Sequence, residues 1–228
     1  MRAPDEFWQE RQALVAACRA SVRERLIRGS AGNLSVRAGE GFLITPTGYG
    51  ADRVREDDLV WMPLTTHGEG CGLLRPSSEW RFHRDLYVER DLDCAAIVHA
   101  HSPYAVSLAC LRREIPPFHY MIAVAGGSTI RCARYATFGT QALSDAVIEA
   151  MRDRRACLMA NHGLLAIGGN VEQALAVALE VEDLCGQYWR ACQMGSPILL
   201  TEAEMTEVIE RFKTYGQQPQ LNAANGEL

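Results

Sequence analysis

Three histidines occupy positions whose spacing suits the ligation of a metal ion. His99 and His101 are two residues apart at the end of an apolar stretch, and His162 follows a second apolar stretch. Side chains two residues apart on a strand point to the same face of a sheet, so the first two imidazoles would project together. Three imidazoles with a fourth position left open are typical of catalytic zinc. The spacing alone leaves a second interpretation open, an ordinary polar pair and a turn.

A second group of polar residues could bind an anion and move a proton. Ser77 and Ser78 stand at the start of a predicted helix, where free backbone N–H groups favour an anion. Glu79 beside them could act as a general base or as a fourth metal ligand. A simple helix cap with a solvated carboxylate is the alternative. Further backbone donors for a phosphate lie at three glycines and their polar neighbours, with plain turn chemistry as the alternative interpretation: Gly29, Ser30, Gly32, Asn33, Thr45, Thr47 and Gly48.

The basic residues of the chain exclude a Walker-type phosphate loop and make Schiff-base chemistry unlikely. Of the 23 Lys and Arg residues, one is a lysine, Lys213. A Walker-type phosphate loop requires a Gly-Lys pair, and Schiff-base chemistry requires a reactive lysine. An enzyme of this sequence that acts on carbonyls or phosphates therefore needs another electrophile.

Composition places the chain among globular proteins. Its 228 residues are 48% hydrophobic and 22% charged, close to globular averages. The net charge of −5 argues against a nucleic-acid partner, and the absence of an 18-residue apolar stretch argues against a membrane span. Eight scattered cysteines without a C-x-x-C pair suit small buried hydrophobes in a reducing compartment. With an acidic N-terminus that lacks an apolar core, these features predict a cytoplasmic protein.

The elements that must position these residues follow from the periodicity of the apolar side chains. Hairpin-like strand pairs without regular βαβ alternation predict an α/β fold with a mixed or mainly antiparallel sheet. We expect one domain over residues 1–216 and a frayed tail over 217–228. Helices are predicted over 7–26, 77–87, 140–153 and 171–193 and from 103 and 201, and strands over 32–37, 42–45, 59–62, 95–99, 120–124, 130–133 and 158–160.

The order of these motifs resembles the class II aldolase/adducin family. The resemblance spans about residues 10 to 216. The motifs that carry it are residues 31–37, 44–48, 76–79, 99–101 and 161–163. Within the family, residues 115–123, 135–140 and 211–216 look most like the L-fuculose-1-phosphate aldolases.

This resemblance implies a fold, a site and an assembly. The implied fold has three layers, α/β/α, around a mainly antiparallel sheet, and the implied assembly is a homotetramer with active sites between subunits. The implied ligands of one Zn²⁺ per subunit are His99, His101 and His162, with Glu79 as the catalytic carboxylate that can also touch the metal. The other implied roles are phosphate binding by Asn33, Thr47, Gly48, Ser77 and Ser78, acid/base action by Tyr120 of a neighbouring subunit, and an aldehyde pocket lined by Phe138 and Tyr215.

The reaction implied by the resemblance is the zinc-dependent cleavage of a ketose 1-phosphate. The products are dihydroxyacetone phosphate and a short aldehyde. The zinc ion stabilises the carbanion next to the carbonyl, which a Schiff-base aldolase would stabilise with a lysine. L-fuculose 1-phosphate is the model substrate. Glu79 favours an aldolase over the pentulose-phosphate 4-epimerases, which carry aspartate there, and the retained histidines disfavour a non-catalytic adducin-like module. A methylthioribulose-1-phosphate aldolase or dehydratase and a tetronate-phosphate decarboxylase stay open as alternatives.

Overall fold

The computed structural model describes residues 6–90 and 93–213, which contain a seven-stranded mixed sheet. The strand order is β3-β2-β1-β4-β7-β6-β5, and among the described residues the one parallel pair is β5 with β6. The predicted mainly antiparallel sheet is therefore confirmed. Its strands are β1 Gly32–Ala38, β2 Gly41–Ile44, β3 Val60–Pro63, β4 Ala96–Ala100, β5 Cys132–Ala133, β6 Ala156–Met159 and β7 Gly163–Gly168.

Helices cover both faces of this sheet. Successive side chains of a strand point to opposite faces, and along β7 Leu164 and Leu165 belong to different cores. One core packs α1, α3 and α5 against the sheet and the other packs α2 and α4, which confirms the three-layer α/β/α fold. The helices are α1 Trp8–Arg23, α2 Trp80–Glu89, α3 Pro103–Ala109, α4 Gln141–Met151, α5 Val171–Met194 and α6 Glu202–Phe212, with 3₁₀ turns at Glu56–Asp58 and Tyr120–Ala125.

Within the described parts of the chain, the longest helix is α5 with 24 residues. Neither it nor any other described helix combines the length and the apolar content that crossing a bilayer requires. The single-domain boundary at residue 216 stays a prediction. The predicted tail over 217–228 lies outside the described residues.

The segment predicted as a strand over 120–124 is instead the 3₁₀ helix Tyr120–Ala125. A short apolar run does not distinguish a strand from a helical turn by periodicity alone. Local hydrogen bonds decide here, because the His119 side chain accepts from the backbone N–H of Met121. Gly126, in the left-handed conformation with φ 89°, ends the turn.

Two further predictions differ from the structure near the candidate histidines. The strand β7 was not predicted, because Asn161 and His162 interrupt the apolar run and conceal a tight turn. Asn161 takes φ 54° there, a left-handed conformation that asparagine tolerates. Helix α2 begins at Trp80, later than predicted, because the Ser77 hydroxyl accepts from the N–H of Glu79 rather than from the first turn of the helix.

Candidate metal centre and active site

Strand β4 in the middle of the sheet carries the first histidine pair. His99 lies opposite Asn33 of β1 on one side and Leu165 of β7 on the other. Its Nδ1 lies 2.8 Å from the carbonyl oxygen of Leu164. A carbonyl oxygen only accepts, so Nδ1 donates its N–H to Leu164 and Nε2 is the ring nitrogen that faces the site. This arrangement is the one that orients metal-ligating histidines.

Four side chains converge around this nitrogen. The ligand atoms of Glu79, His99, His101 and His162 all lie within 4.8 Å of one another. The Nε2 atoms of His99 and His101 are 3.0 Å apart, and Glu79 Oε2 lies 3.2 Å from His99 Nε2. Ligands at zinc–nitrogen distances of about 2.0–2.1 Å in a tetrahedron are separated by roughly 3.3 Å. The cluster therefore has the dimensions needed to hold one metal ion.

Glu79 supplies the charge of the cluster and one atom without a partner. Its Oε1 is buried and accepts no hydrogen bond from the described residues, although His162 Nε2 lies 3.3 Å away. Burying an unpaired carboxylate oxygen is costly. A cation between Glu79 and the imidazoles would satisfy this oxygen, so the residues present fit a bound metal.

The protonation states suit metal ligation. Burial, together with the nearby His99 ring, lowers the pKa of His101 and of His162 to about 4, so both are neutral at pH 7. Burial raises the pKa of Glu79, but the imidazoles of His99 and His162 and the hydrogen bond from Asn33 outweigh it and hold that pKa well below its ordinary value. Neutral imidazole and ionised carboxylate are the forms that bind metals.

Two glycines allow the backbone to approach β4 closely. A Cβ atom at Gly163 would lie 2.2 Å from the Ala100 carbonyl oxygen and 3.1 Å from Cδ2 of His101. At Gly32, with φ +120°, it would lie 2.5 Å from the His99 carbonyl oxygen. Any side chain at either position would displace the histidine strand.

A cleft of about 330 Å³ opens over the metal-ligand cluster. Its wall includes two further residues that were not predicted as site residues, Tyr135 and Asn161. Gly48 lines the cleft and takes φ +66°, a left-handed conformation that favours glycine. The predicted site residues that line the cleft are Asn33, Thr47, Gly48, Ser77, Ser78, Glu79, His101, His162 and Phe138.

One predicted site residue lies away from the cleft. Tyr120 begins the 3₁₀ helix, is 49% exposed, and is not among the described residues that line the cleft. Its predicted role across a subunit interface stays a prediction. Tyr215 lies outside the described residues.

Phe138 lines the cleft and lies in a loop that Arg81 holds by donating to the Gly139 carbonyl oxygen at 2.6 Å.

Sequence reasoning missed the buried residues behind Glu79. His83 and Tyr87 follow Glu79 at intervals of four residues, which places them on one face of α2. Ser35 follows Asn33 at an interval of two on β1 and therefore shares its face. The two periodicities were available in the sequence.

Comparisons with known proteins decide the family. A family model described as "Class II Aldolase and Adducin N-terminal domain" matches residues 12–189. The chain belongs to this class II aldolase and adducin family. This assignment agrees with the fold, with the cluster of three histidines and a glutamate, and with the order of the sequence motifs.

Individual relatives of the class II aldolase type are similar over almost the whole chain. A 5-methylthioribulose-1-phosphate/5-deoxyribulose-1-phosphate aldolase of Rhodospirillum rubrum is 50% identical over 92% of this chain and 94% of its own. An L-fuculose phosphate aldolase of Escherichia coli K12 is 43% identical over 89% and 94%. A solved structure of an L-fuculose 1-phosphate aldolase superposes with a TM-score of 0.86 at 41% identity, covering 90% of this chain and 96% of that one. The prediction of a metal-dependent class II aldolase is confirmed.

Proposed function

We propose that the protein cleaves a 5-deoxypentulose 1-phosphate, bearing hydrogen or a methylthio group at C5, into dihydroxyacetone phosphate and a short aldehyde. The observation that carries the reaction is the convergence of three Nε2 atoms and one carboxylate on the wall of a polar cleft. The relative that is 50% identical supports this substrate class by its name. An L-fuculose 1-phosphate substrate is the second candidate, which the 43% identical relative and the 0.86 TM-score support.

In this proposal His99, His101 and His162 hold one zinc ion, and Glu79 stands beside it. A bound zinc ion supplies a Lewis acid that polarises the substrate carbonyl and stabilises developing negative charge without lysine. The hydrogen bond from His99 to the Leu164 carbonyl keeps the Nε2 lone pair aimed at the site. Three imidazoles complete a catalytic set by themselves, which leaves the Glu79 carboxylate available for proton transfer.

The side chains of the cleft divide the remaining work. The C4 hydroxyl loses its proton as the C3–C4 bond breaks, and the electron pair of that bond passes to C3. Glu79 is ionised in the free protein, so it must first take up a proton from solvent, and it is near enough to the cluster to deliver that proton to C3 and complete dihydroxyacetone phosphate. The polar side chains and backbone N–H groups that line the cleft suit the phosphate: Asn33, Thr47, Gly48, Ser77 and Ser78.

We assign the transfer of the C4 hydroxyl proton to Tyr120 of a neighbouring subunit in a homotetramer. In one chain Tyr120 is half exposed and outside the cleft lining, so it can serve a cleft other than its own. Phe138 and Tyr215 are assigned to the aldehyde end, where Phe138 and Tyr135 present aromatic surface to the substrate tail. The free cysteines of the described chain accord with the reducing cytoplasm as its compartment.

A substrate panel tests the proposal. Purified protein is stripped with a chelator, reloaded with zinc, and assayed for dihydroxyacetone phosphate release from three ketose phosphates. We expect turnover of 5-methylthioribulose 1-phosphate and 5-deoxyribulose 1-phosphate at kcat/KM at least about tenfold above that of L-fuculose 1-phosphate, a difference of about 1.4 kcal/mol. A preference for L-fuculose 1-phosphate would favour the second candidate. No release from any of them by the zinc-loaded protein would refute aldolase activity toward this substrate class.

A further inference from the structure

Behind Glu79 lies a line of buried polar side chains that the proposed reaction does not use. Tyr87 Oη lies 2.7 Å from Ser35 Oγ, which lies 2.7 Å from Nδ1 of His83. His83 Nε2 lies 2.5 Å from Asn33 Oδ1, and Asn33 Nδ2 donates to Glu79 Oε2 at 2.9 Å. The line therefore runs from the interior of the α2 layer to the carboxylate at the metal-ligand cluster.

The direction of every hydrogen bond in this line is determined. The Glu79 carboxylate only accepts, so the Asn33 amide must turn its N–H toward Glu79 and its Oδ1 toward His83. Asn33 Oδ1 only accepts as well, so Nε2 of His83 carries a proton. The ring is fully buried, and burial together with the nearby His99 lowers its pKa to about 3 against the opposing effect of Glu79, so it is neutral. Nδ1 of His83 is then an acceptor.

The remaining two bonds follow from this tautomer. Ser35 donates its hydroxyl proton to His83 Nδ1, and its oxygen accepts from the Tyr87 hydroxyl. Ser35, His83 and Tyr87 are all fully buried among apolar side chains of the α2 core. Apolar residues of similar volume would avoid the cost of burying these groups. A fully satisfied network in that position instead specifies one orientation of the group at its end.

We propose that His83 is a positioning residue that holds the Asn33 amide with its N–H toward Glu79. The consequence is a division between the two carboxylate oxygens. Oε2 is occupied by Asn33, whereas Oε1 accepts no hydrogen bond from the described residues and is left for the reacting centre. Without His83, the buried Asn33 Oδ1 loses its donor, and the Asn33 side chain is no longer held in the rotamer that places its N–H on Oε2 of Glu79. This inference rests on the proposed function for its catalytic consequence.

Three single variants test the role. His83→Leu removes the donor to Asn33, and we expect kcat per bound zinc to fall about 10- to 100-fold, the range for groups that orient metal-site ligands, with KM changed less than about threefold. His83→Gln keeps an N–H donor and an acceptor, and should restore kcat to within about fivefold of wild type. Ser144→Ala removes another buried hydrogen bond to α2, from Ser144 Oγ to Asp85 at 2.5 Å, and serves as the stability control with unchanged kcat.

The outcomes separate positioning from general destabilisation. Wild-type kcat in His83→Leu would overturn the proposal, and so would a loss in His83→Gln as large as that in His83→Leu. A matching loss in Ser144→Ala would assign the effect to weakened packing of α2 and would also overturn it. In an Asn33→Ala background, adding His83→Leu should lower kcat by less than about twofold, because the two residues act through one contact. A full second loss there would show that His83 acts elsewhere.

One measurement is independent of catalysis. Long-range ¹H–¹⁵N spectra of ¹⁵N-histidine-labelled wild-type protein, with and without zinc, should show His83 as the neutral Nε2–H tautomer, identified by its disappearance in His83→Gln. An Nδ1–H tautomer or a protonated ring overturns the geometry. If the wild-type protein releases no dihydroxyacetone phosphate but His83 shows the expected tautomer, the proposed function has failed and the orientation of Asn33 stands.

Discussion

The two ends of the candidate site are built in different ways. The metal end, formed by Glu79, His99, His101 and His162, lies at the ends of β4 and β6 and at the start of α2, and His99 is 0% exposed. The aromatic end, formed by Tyr135 and Phe138, lies in a loop, and Phe138 is 66% exposed. Within a single chain, the ligand atoms of the metal end already lie close together, whereas Phe138 at the aromatic end is exposed to solvent.

This difference separates chemistry from substrate choice. Atoms held by sheet hydrogen bonds and close glycine contacts keep the spacing that a metal and a proton transfer require. Loops tolerate change and provide specificity around a fixed scaffold. The aromatic end therefore offers contacts that can change without moving the atoms of the metal end.

The largest expected effect is the loss of a metal ligand. His99→Ala should reduce bound zinc to a trace and lower kcat about 10³-fold or more, because a Lewis acid supplies several kcal/mol of transition-state stabilisation. Metal content by elemental analysis and dihydroxyacetone phosphate release measure the two effects. His67→Ala, an exposed histidine in the loop after β3, is the control and should change neither. Full zinc occupancy in His99→Ala would remove this residue from the ligand set.

The next effect concerns proton transfer at the metal end. Glu79→Gln should keep zinc bound by the three imidazoles while kcat falls about 10²–10⁴-fold, the usual scale for a positioned acid or base. The control is Glu89→Gln, the same chemical change at an exposed position of the same helix, which should leave kcat unchanged. Zinc lost together with activity would make Glu79 a required ligand instead. Unchanged turnover would remove it from the mechanism.

The metal end could be predicted from the sequence because its spacing obeys the period of a strand. The two-residue alternation of a strand was enough to pair His99 with His101. His162 and Glu79 were candidates from their positions after an apolar stretch and at a helix start, but the family resemblance was needed to favour one shared site over the alternatives. The line behind Glu79 shows what was overlooked. His83 lies four residues after Glu79 on α2, but a buried histidine at that spacing reads as an ordinary core residue until the strand facing it is known.

A third prediction asks whether Tyr120 completes the aromatic end from a neighbouring subunit. Glu79→Gln and Tyr120→Phe chains should each be nearly inactive alone, the second by about 10²-fold or more if its hydroxyl transfers a proton. Mixed after dissociation and reassembled in equal amounts, they should recover about a quarter of wild-type activity, because a random mixture pairs both intact residues at that share of shared sites.

Subunit exchange has to be verified before the mixture is interpreted. Native mass spectrometry of the mixture should show hybrid oligomers, and reassembled Glu79→Gln protein alone serves as the control for the procedure. Hybrids without recovered activity would mean that Tyr120 acts within its own chain or takes no part. Either result would mean that the aromatic end consists of residues from one subunit only.

The smallest expected effect lies at Phe138, because a side chain that is 66% exposed in one chain has little apolar contact to lose. Phe138→Ala should keep zinc and lower kcat/KM for 5-methylthioribulose 1-phosphate about tenfold, but that for 5-deoxyribulose 1-phosphate about threefold or less, since the missing methylthio group makes no contact to lose. Leu73→Ala, at an apolar residue that is 85% exposed and outside the cleft lining, is the control. Equal losses of kcat/KM for both substrates would mean that Phe138 affects the reaction itself and not the choice of substrate. That result would contradict the division of the site into a metal end for the reaction and an aromatic end for substrate selection.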